Sequence, residues 1–189
     1  MKNPKKEKTD VKIYRTTGIF KLKGVIKVGL DSSVIYDIIT ELESKEYFKG
    51  KGYQFPKYLL YYHEASFNEI VGLLINKKNM KFDEAKKKIK QFIDDFNVEC
   101  IKRDDKSKEY EEIVRKANED VVKEYGKDYG IGEMDIKIIA GFLQNKMTSI
   151  EVRDKGFEKT CEKLDMNHFK FPERDKIIEN RIKKSLKKH

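Results

Sequence analysis

The chain has 189 residues, 38% apolar and 40% charged, which is enough for one domain with a buried core and too strongly patterned for a disordered profile. Its 42 Lys and Arg against 33 Asp and Glu leave a net charge of +9, which points to a polyanionic partner, nucleic acid first, beside the plainer reading of a solvated Lys-rich surface. Cys100 and Cys161 lack metal-ligand spacing, which excludes a zinc ribbon and leaves two reduced core thiols as the expectation. No apolar stretch has bilayer-spanning length and no apolar segment follows the basic start, so a cytoplasmic location is expected.

Taken in chain order, residues 1–10 read as a basic, turn-rich arm. Val11, Ile13, Ile19, Phe20 and Leu22 around Thr16-Thr17-Gly18 suggest an added hairpin. Val25 to Leu30 reads as a buried strand feeding a helix from Ser32 to Leu42, whose Ile35, Ile38, Ile39 and Leu42 recur at three and four residues. Gly50-Lys51-Gly52 marks a loop, Lys57 to Tyr62 a second strand, and Ser66 or Asn68 starts a helix through Leu74. Phe82 to Phe96 is an amphipathic helix, Asn97 to Ile101 a strand and Ser107 to Tyr125 a charged helix. After a glycine-rich break at Asp128 to Gly132, Met134 to Asn145 reads as a helix and Thr148 to Val152 as a strand. A helix from Phe157 to Leu164 and a strand at His168 to Phe171 follow. The Lys-rich end carries Ile177, Ile178, Ile182 and Leu186 at helical spacing, as a docked amphipathic helix would. Strands alternating with helices long enough for parallel crossovers give an α/β fold with a mainly parallel sheet covered on both faces. The expected division is an arm at 1–24, a central domain at 25–172 and a basic C-terminal segment at 173–189.

In open parallel sheets, ligands gather outside the carboxyl ends of the strands. Asp31 directly follows Val25-Ile26-Lys27-Val28-Gly29-Leu30, and Asp154 follows Ile150-Glu151-Val152-Arg153. Each also precedes a helix, where an aspartate serves equally as an N-cap. Glu69 lies in Asn68-Glu69-Ile70-Val71-Gly72-Leu73-Leu74, a helix apolar nearly all round, and Asp135 heads the stripe Ile138, Ile139 and Phe142. First-turn acids favoured by the helix dipole are the competing reading for both. Four carboxylates at one end of a sheet repel one another unless protonated or bound to cations, and oxygen donors select Mg²⁺ or Mn²⁺. Such ions activate water and stabilise charge on a phosphoryl group, which together with a basic surface suggests phosphodiester hydrolysis.

The ordered set Val28-Gly29-Leu30-Asp31-Ser32-Ser33-Val34-Ile35, Asn68-Glu69-Ile70-Val71-Gly72, Asp135-Ile136-Lys137-Ile138-Ile139 and Val152-Arg153-Asp154-Lys155-Gly156-Phe157 resembles the acidic motifs of PIN domains. The resemblance implies a three-layer α/β/α fold and an endonuclease that uses Mg²⁺ or Mn²⁺, usually on RNA, either a VapC-like toxin or an RNA-processing enzyme. It implies a small antitoxin and a homodimer as protein partners. Carried onto this chain, Asp31, Glu69, Asp135 and Asp154 form the catalytic and metal-binding set, with Ser32 or Ser33 in support. Arg153, beside Asp154, is the basic residue placed to meet phosphate. Glu133 and Glu64 are the alternatives if the third or second acid is displaced. Many PIN domains carry Thr where this chain has Val152, which keeps open a degenerate module that binds nucleic acid without cutting it. Tyr61, Tyr62, Tyr125 and Tyr129 are candidates either for stacking on bases or for packing.

Overall fold

The computed structural model describes residues 11–15, 18–22, 24–53 and 55–186. The basic arm expected at residues 1–10 and the tail lysines Lys187 and Lys188 lie outside the described residues. β1 (Val11–Arg15) and β2 (Gly18–Leu22) pair antiparallel as a two-stranded sheet of their own, with Val11 opposite Leu22.

The main sheet contains β3 (Ile26–Leu30), β4 (Tyr58–His63), β5 (Val98–Ile101), β6 (Ser149–Val152) and β7 (His168–Lys170), in spatial order β5-β4-β3-β6-β7. Every pairing is parallel. The chain builds β3, β4 and β5 outward on one side and then returns to lay β6 on the other side of β3. That reversal puts the topological switch point at the carboxyl ends of β3 and β6, the two strands followed by Asp31 and Asp154.

Helices cover both faces because the strand residues alternate between two apolar clusters. Val28 and Leu30 bury into one, with Val34, Ile35 and Ile38 of α1 (Ser32–Thr40), Phe48 of α2 (Leu42–Gly50), Ile70 and Leu74 of α3 (Glu64–Lys78) and Ile89 of α4 (Phe82–Phe96). Ile150 and Val152 bury into the other, with Val114 of α5 (Ser107–Tyr125), Ile138, Ile139 and Phe142 of α6 (Glu133–Gln144) and Phe157 and Cys161 of α7 (Lys155–Lys163). Gly29 lets α6 approach the central strand closely: a Cβ there would lie 3.0 Å from the Phe142 ring.

Two local differences from the sequence reading have clear causes. The helix expected from Ser32 to Leu42 stops at Thr40, where Glu41 turns to extended backbone and α2 begins. Ser44 bonds the Glu41 carboxylate at 2.8 Å to fix that corner. α2 buries only Ser44 and Phe48, so it displays no apolar stripe to read. At the C-terminal end, α8 (Arg174–Leu186) docks through Ile177 and through Arg174 and Arg181, which pair with Glu43 and Glu46 of α2. Ile182 and Leu186 of the expected stripe are exposed. Of the two cysteines, Cys161 is buried as expected, whereas Cys100 is exposed and is no core thiol. No helix among the described residues is long and apolar enough to cross a membrane.

Candidate active site

Asp31 leaves β3 at the switch point, its N–H donating to the Glu151 carbonyl at 3.1 Å in the last rung between β3 and β6. Although it sits at the N-cap of α1, its side chain makes no cap bond. The carboxylate instead accepts from the Ser33 hydroxyl and is only 2% exposed. Burial pushes its pKa up to about 7, against the Ser33 bond, and the nearby Asp135 and Glu69 carboxylates push it further.

Glu69 lies in the second turn of α3, which begins at Glu64, earlier than the sequence suggested. Its Oε2 is buried with no hydrogen-bond partner. Asp135 opens α6, which packs against α3, and accepts from the Gly132 N–H at 3.3 Å. Burial raises its pKa to about 6, with Glu69 and then Asp154 adding repulsion and the Gly132 bond opposing it. Asp154, the most exposed of the four, does serve as a cap, accepting from Phe157 N–H through one oxygen at 2.9 Å, while its other oxygen has no hydrogen-bond partner among the described residues. The structure thus gathers the four acids, from the N-caps of α1 and α7 and from α3 and α6, with Asp135 and Glu69 near enough to act on Asp31 and Glu69 and Asp154 near enough to act on Asp135. The two alternatives sit elsewhere: Glu133 pairs with Arg115 on the surface, and exposed Glu64 accepts from the Arg103 N–H at 3.0 Å.

Of the two serines, Ser33 is the one that touches an acid. The Ser32 hydroxyl is buried with no partner. Arg153 is half-buried and ion-paired with Asp37 of α1, a contact across 116 residues that no local pattern announces. Both line a cleft of about 600 Å³ with Ser33, Tyr36, Lys77 and Asp154. Val152 points into the apolar cluster and is fully buried, so it presents nothing to that cleft. Tyr62 is buried and Tyr61 half-buried as packing residues, while Tyr125 is exposed with its ring 5.6 Å from that of Tyr129.

The donor set is suited to a hard divalent cation: oxygen donors only, one of them a buried oxygen with no partner, in a cluster whose members repel one another. No three of the four place an oxygen each within 4.8 Å of one another, a spacing compatible with Mg²⁺, which keeps several of its own waters and binds through one or two carboxylates. Among the described residues, Glu158, Glu162 and His168 do approach that closely. They are already served by cations of the chain, Lys170 at 2.8 Å from Glu158 and Lys159 at 2.6 Å from Glu162.

No protein-family model matches the chain, and no curated protein matches it in sequence. Its fold is similar to that in a structure of VapBC2 from Rickettsia felis bound to a DNA fragment from their promoter. That match has a TM-score of 0.59 at 13% identity and covers 78% of this chain and 100% of the other. It is also similar to VapBC-1 from nontypeable Haemophilus influenzae, with a TM-score of 0.55 at 14% identity over 77% of this chain and 98% of the other. With five parallel strands between two helical layers and this likeness, the chain has the PIN-like fold.

Proposed function

We propose that the protein is a metal-dependent endoribonuclease of VapC type, with residues 25–172 as the nuclease unit. The observation that carries this reading is the convergence of Asp31, Glu69, Asp135 and Asp154 at the switch point of a PIN-like sheet, two of them driven upward in pKa by burial and by the others. In this reading the four carboxylates form the site for Mg²⁺ or Mn²⁺, each ion held directly by one or two of them and otherwise by its own waters, and when bound it would supply an activated water and neutralise charge on the scissile phosphate. Ser33 holds Asp31 in one orientation by donating to it. The single oxygen that Asp154 uses as a cap fixes that carboxylate while leaving its second oxygen for the ion. Arg153 meets a backbone phosphate in the adjoining cleft. A small antitoxin is the proposed partner, supported by the likeness to VapBC structures, while RNA as the substrate and a homodimer as the assembly follow from the resemblance of the acidic motifs.

The test is cleavage of labelled single-stranded RNA by purified protein with Mg²⁺ or Mn²⁺, with EDTA, and with Asp31→Asn. Metal-dependent cutting that Asp31→Asn abolishes is the expected result. Salt-sensitive RNA binding without cutting would replace this reading with a non-catalytic binding module.

A further inference from the structure

The acids of the cleft leave open how a polyanion is held beside them. Asp37, Glu41, Asp128, Asp154 and Glu173 line it against Lys77, Arg153 and Lys155, so the cleft carries more negative than positive side chains despite the chain's overall charge of +9. A cation that is to meet phosphate here needs a fixed position, because an untethered Arg beside Asp154 would fold onto that carboxylate. Asp37 supplies an anchor. It is 3% exposed, on the inner side of α1 six residues after Asp31, and one of its oxygens accepts from a terminal guanidinium nitrogen of Arg153. Arg153 stays one-third exposed, and the rest of its five-donor fork is not used by any other side chain of the described residues.

The pair is a poor source of stability. Burial is the largest influence on the Asp37 carboxyl and leaves its pKa raised, with the charge and hydrogen bond of Arg153 opposing it, so desolvation offsets much of the attraction within the pair. We propose that Asp37 is a positioning residue: it holds the Arg153 guanidinium in the acidic cleft so that its remaining N–H donors clamp a backbone phosphate of single-stranded RNA next to the acids. This rests on the nuclease reading for the substrate, and on geometry alone for the pairing.

The experiment measures binding of a fluorescent single-stranded oligoribonucleotide by anisotropy, with the full chain carrying Asp31→Asn in Mg²⁺ so that binding is read without cutting. Against that parent, Asp37→Asn and Arg153→Ala each weaken binding by about tenfold, the loss expected for one charge-assisted contact. The double variant weakens it no further, because both changes remove one contact. The slope of log K against log salt falls by about 0.7 in each, the value for one phosphate on a single strand. Where Asp37→Asn does not fold, Arg153→Lys carries the test: it keeps the charge, loses the fork and weakens binding to a similar degree. Asp37→Asn, or Arg153→Lys in its place, that binds like the parent while Arg153→Ala is impaired overturns the positioning role. So does lowered thermal stability with an unchanged salt slope. A parent that fails to bind RNA overturns the substrate reading itself, and the inference with it.

Discussion

At the scale of single residues, the site is governed by the conflict between burying Asp31 and ionising it. Its pKa of about 7 lies above the ordinary 3.8, so the folded chain holds a proton there that the unfolded chain has lost. A folded state that binds more protons is favoured at low pH, and its advantage declines as pH rises from near 4 to near 7. Metal-free protein is therefore expected to melt at a lower temperature at pH 8 than at pH 5.5, with Asp135, raised to about 6, acting in the same direction. Asp31→Asn keeps the shape without the charge and is expected to raise the metal-free Tm at pH 8 and to flatten its pH dependence. Each kcal/mol corresponds to about 2–4 °C in a chain of this size. Thermal melts in EDTA across that pH range check it; a variant that melts lower than wild type at pH 8 would remove the repulsion argument. Ser33→Ala is a milder case: it withdraws the hydroxyl that favours the ionised Asp31. It is expected to raise the Mg²⁺ concentration needed for half-maximal activity by a few fold, read from a metal titration.

At the scale of elements, the N-terminus of α7 has little tolerance for steric error. Gly156, two residues after Asp154, lies under the 3-10 turn Lys127–Tyr129, and a Cβ there would sit 2.5 Å from the Tyr129 carbonyl oxygen and 3.0 Å from the Ile131 side chain. Gly156→Ala must push turn and helix apart, and overpacking of this kind costs about 1–3 kcal/mol. The expected outcome is a lower Tm together with a loss of activity larger than the stability loss explains, because Asp154 moves with its helix; circular dichroism melts and single-turnover cleavage separate the two. Much at this scale was legible in the sequence. β3 running into Asp31, α4, α5 and the stripe of α6 headed by Asp135 all announce themselves, since each buries one face against the sheet and so imposes its period on the chain. α2 did not, because its burial rests on Phe48 and Ser44. Nor did the Asp37–Arg153 pair, or Glu151, which is fully buried on β6 and accepts from Tyr53 and from Lys51 at 2.5 Å. Those partners are about a hundred residues apart, and only the return of the chain to β3 brings them together.

At the scale of the whole molecule, an excess of nine positive charges coexists with a cleft in which acids outnumber bases. The two facts have different consequences. Distributed Lys and Arg draw a polyanion to the surface in a salt-dependent way, but the last step, seating phosphate beside the four acids, runs against local repulsion unless those acids are neutralised. Protons and divalent ions compete for that task, since a carboxylate must be deprotonated to bind metal. The metal-induced rise in Tm is therefore expected to be larger at pH 8 than at pH 5.5, where Asp31 and Asp135 retain their protons. Saturating an ion to about 100 times its Kd adds about 2.7 kcal/mol, so the difference lies within reach of differential scanning fluorimetry with Mg²⁺ or Mn²⁺. The same ions are expected to raise the Tm of Asp31→Asn less than that of the wild type, because three of the four acids remain, and to tighten RNA binding by that uncleaving variant in EDTA-treated, metal-restored samples. A Tm gain equal at the two pH values and retained in full by Asp31→Asn would place the ions elsewhere on the molecule, with Glu158, Glu162 and His168 the first residues to examine.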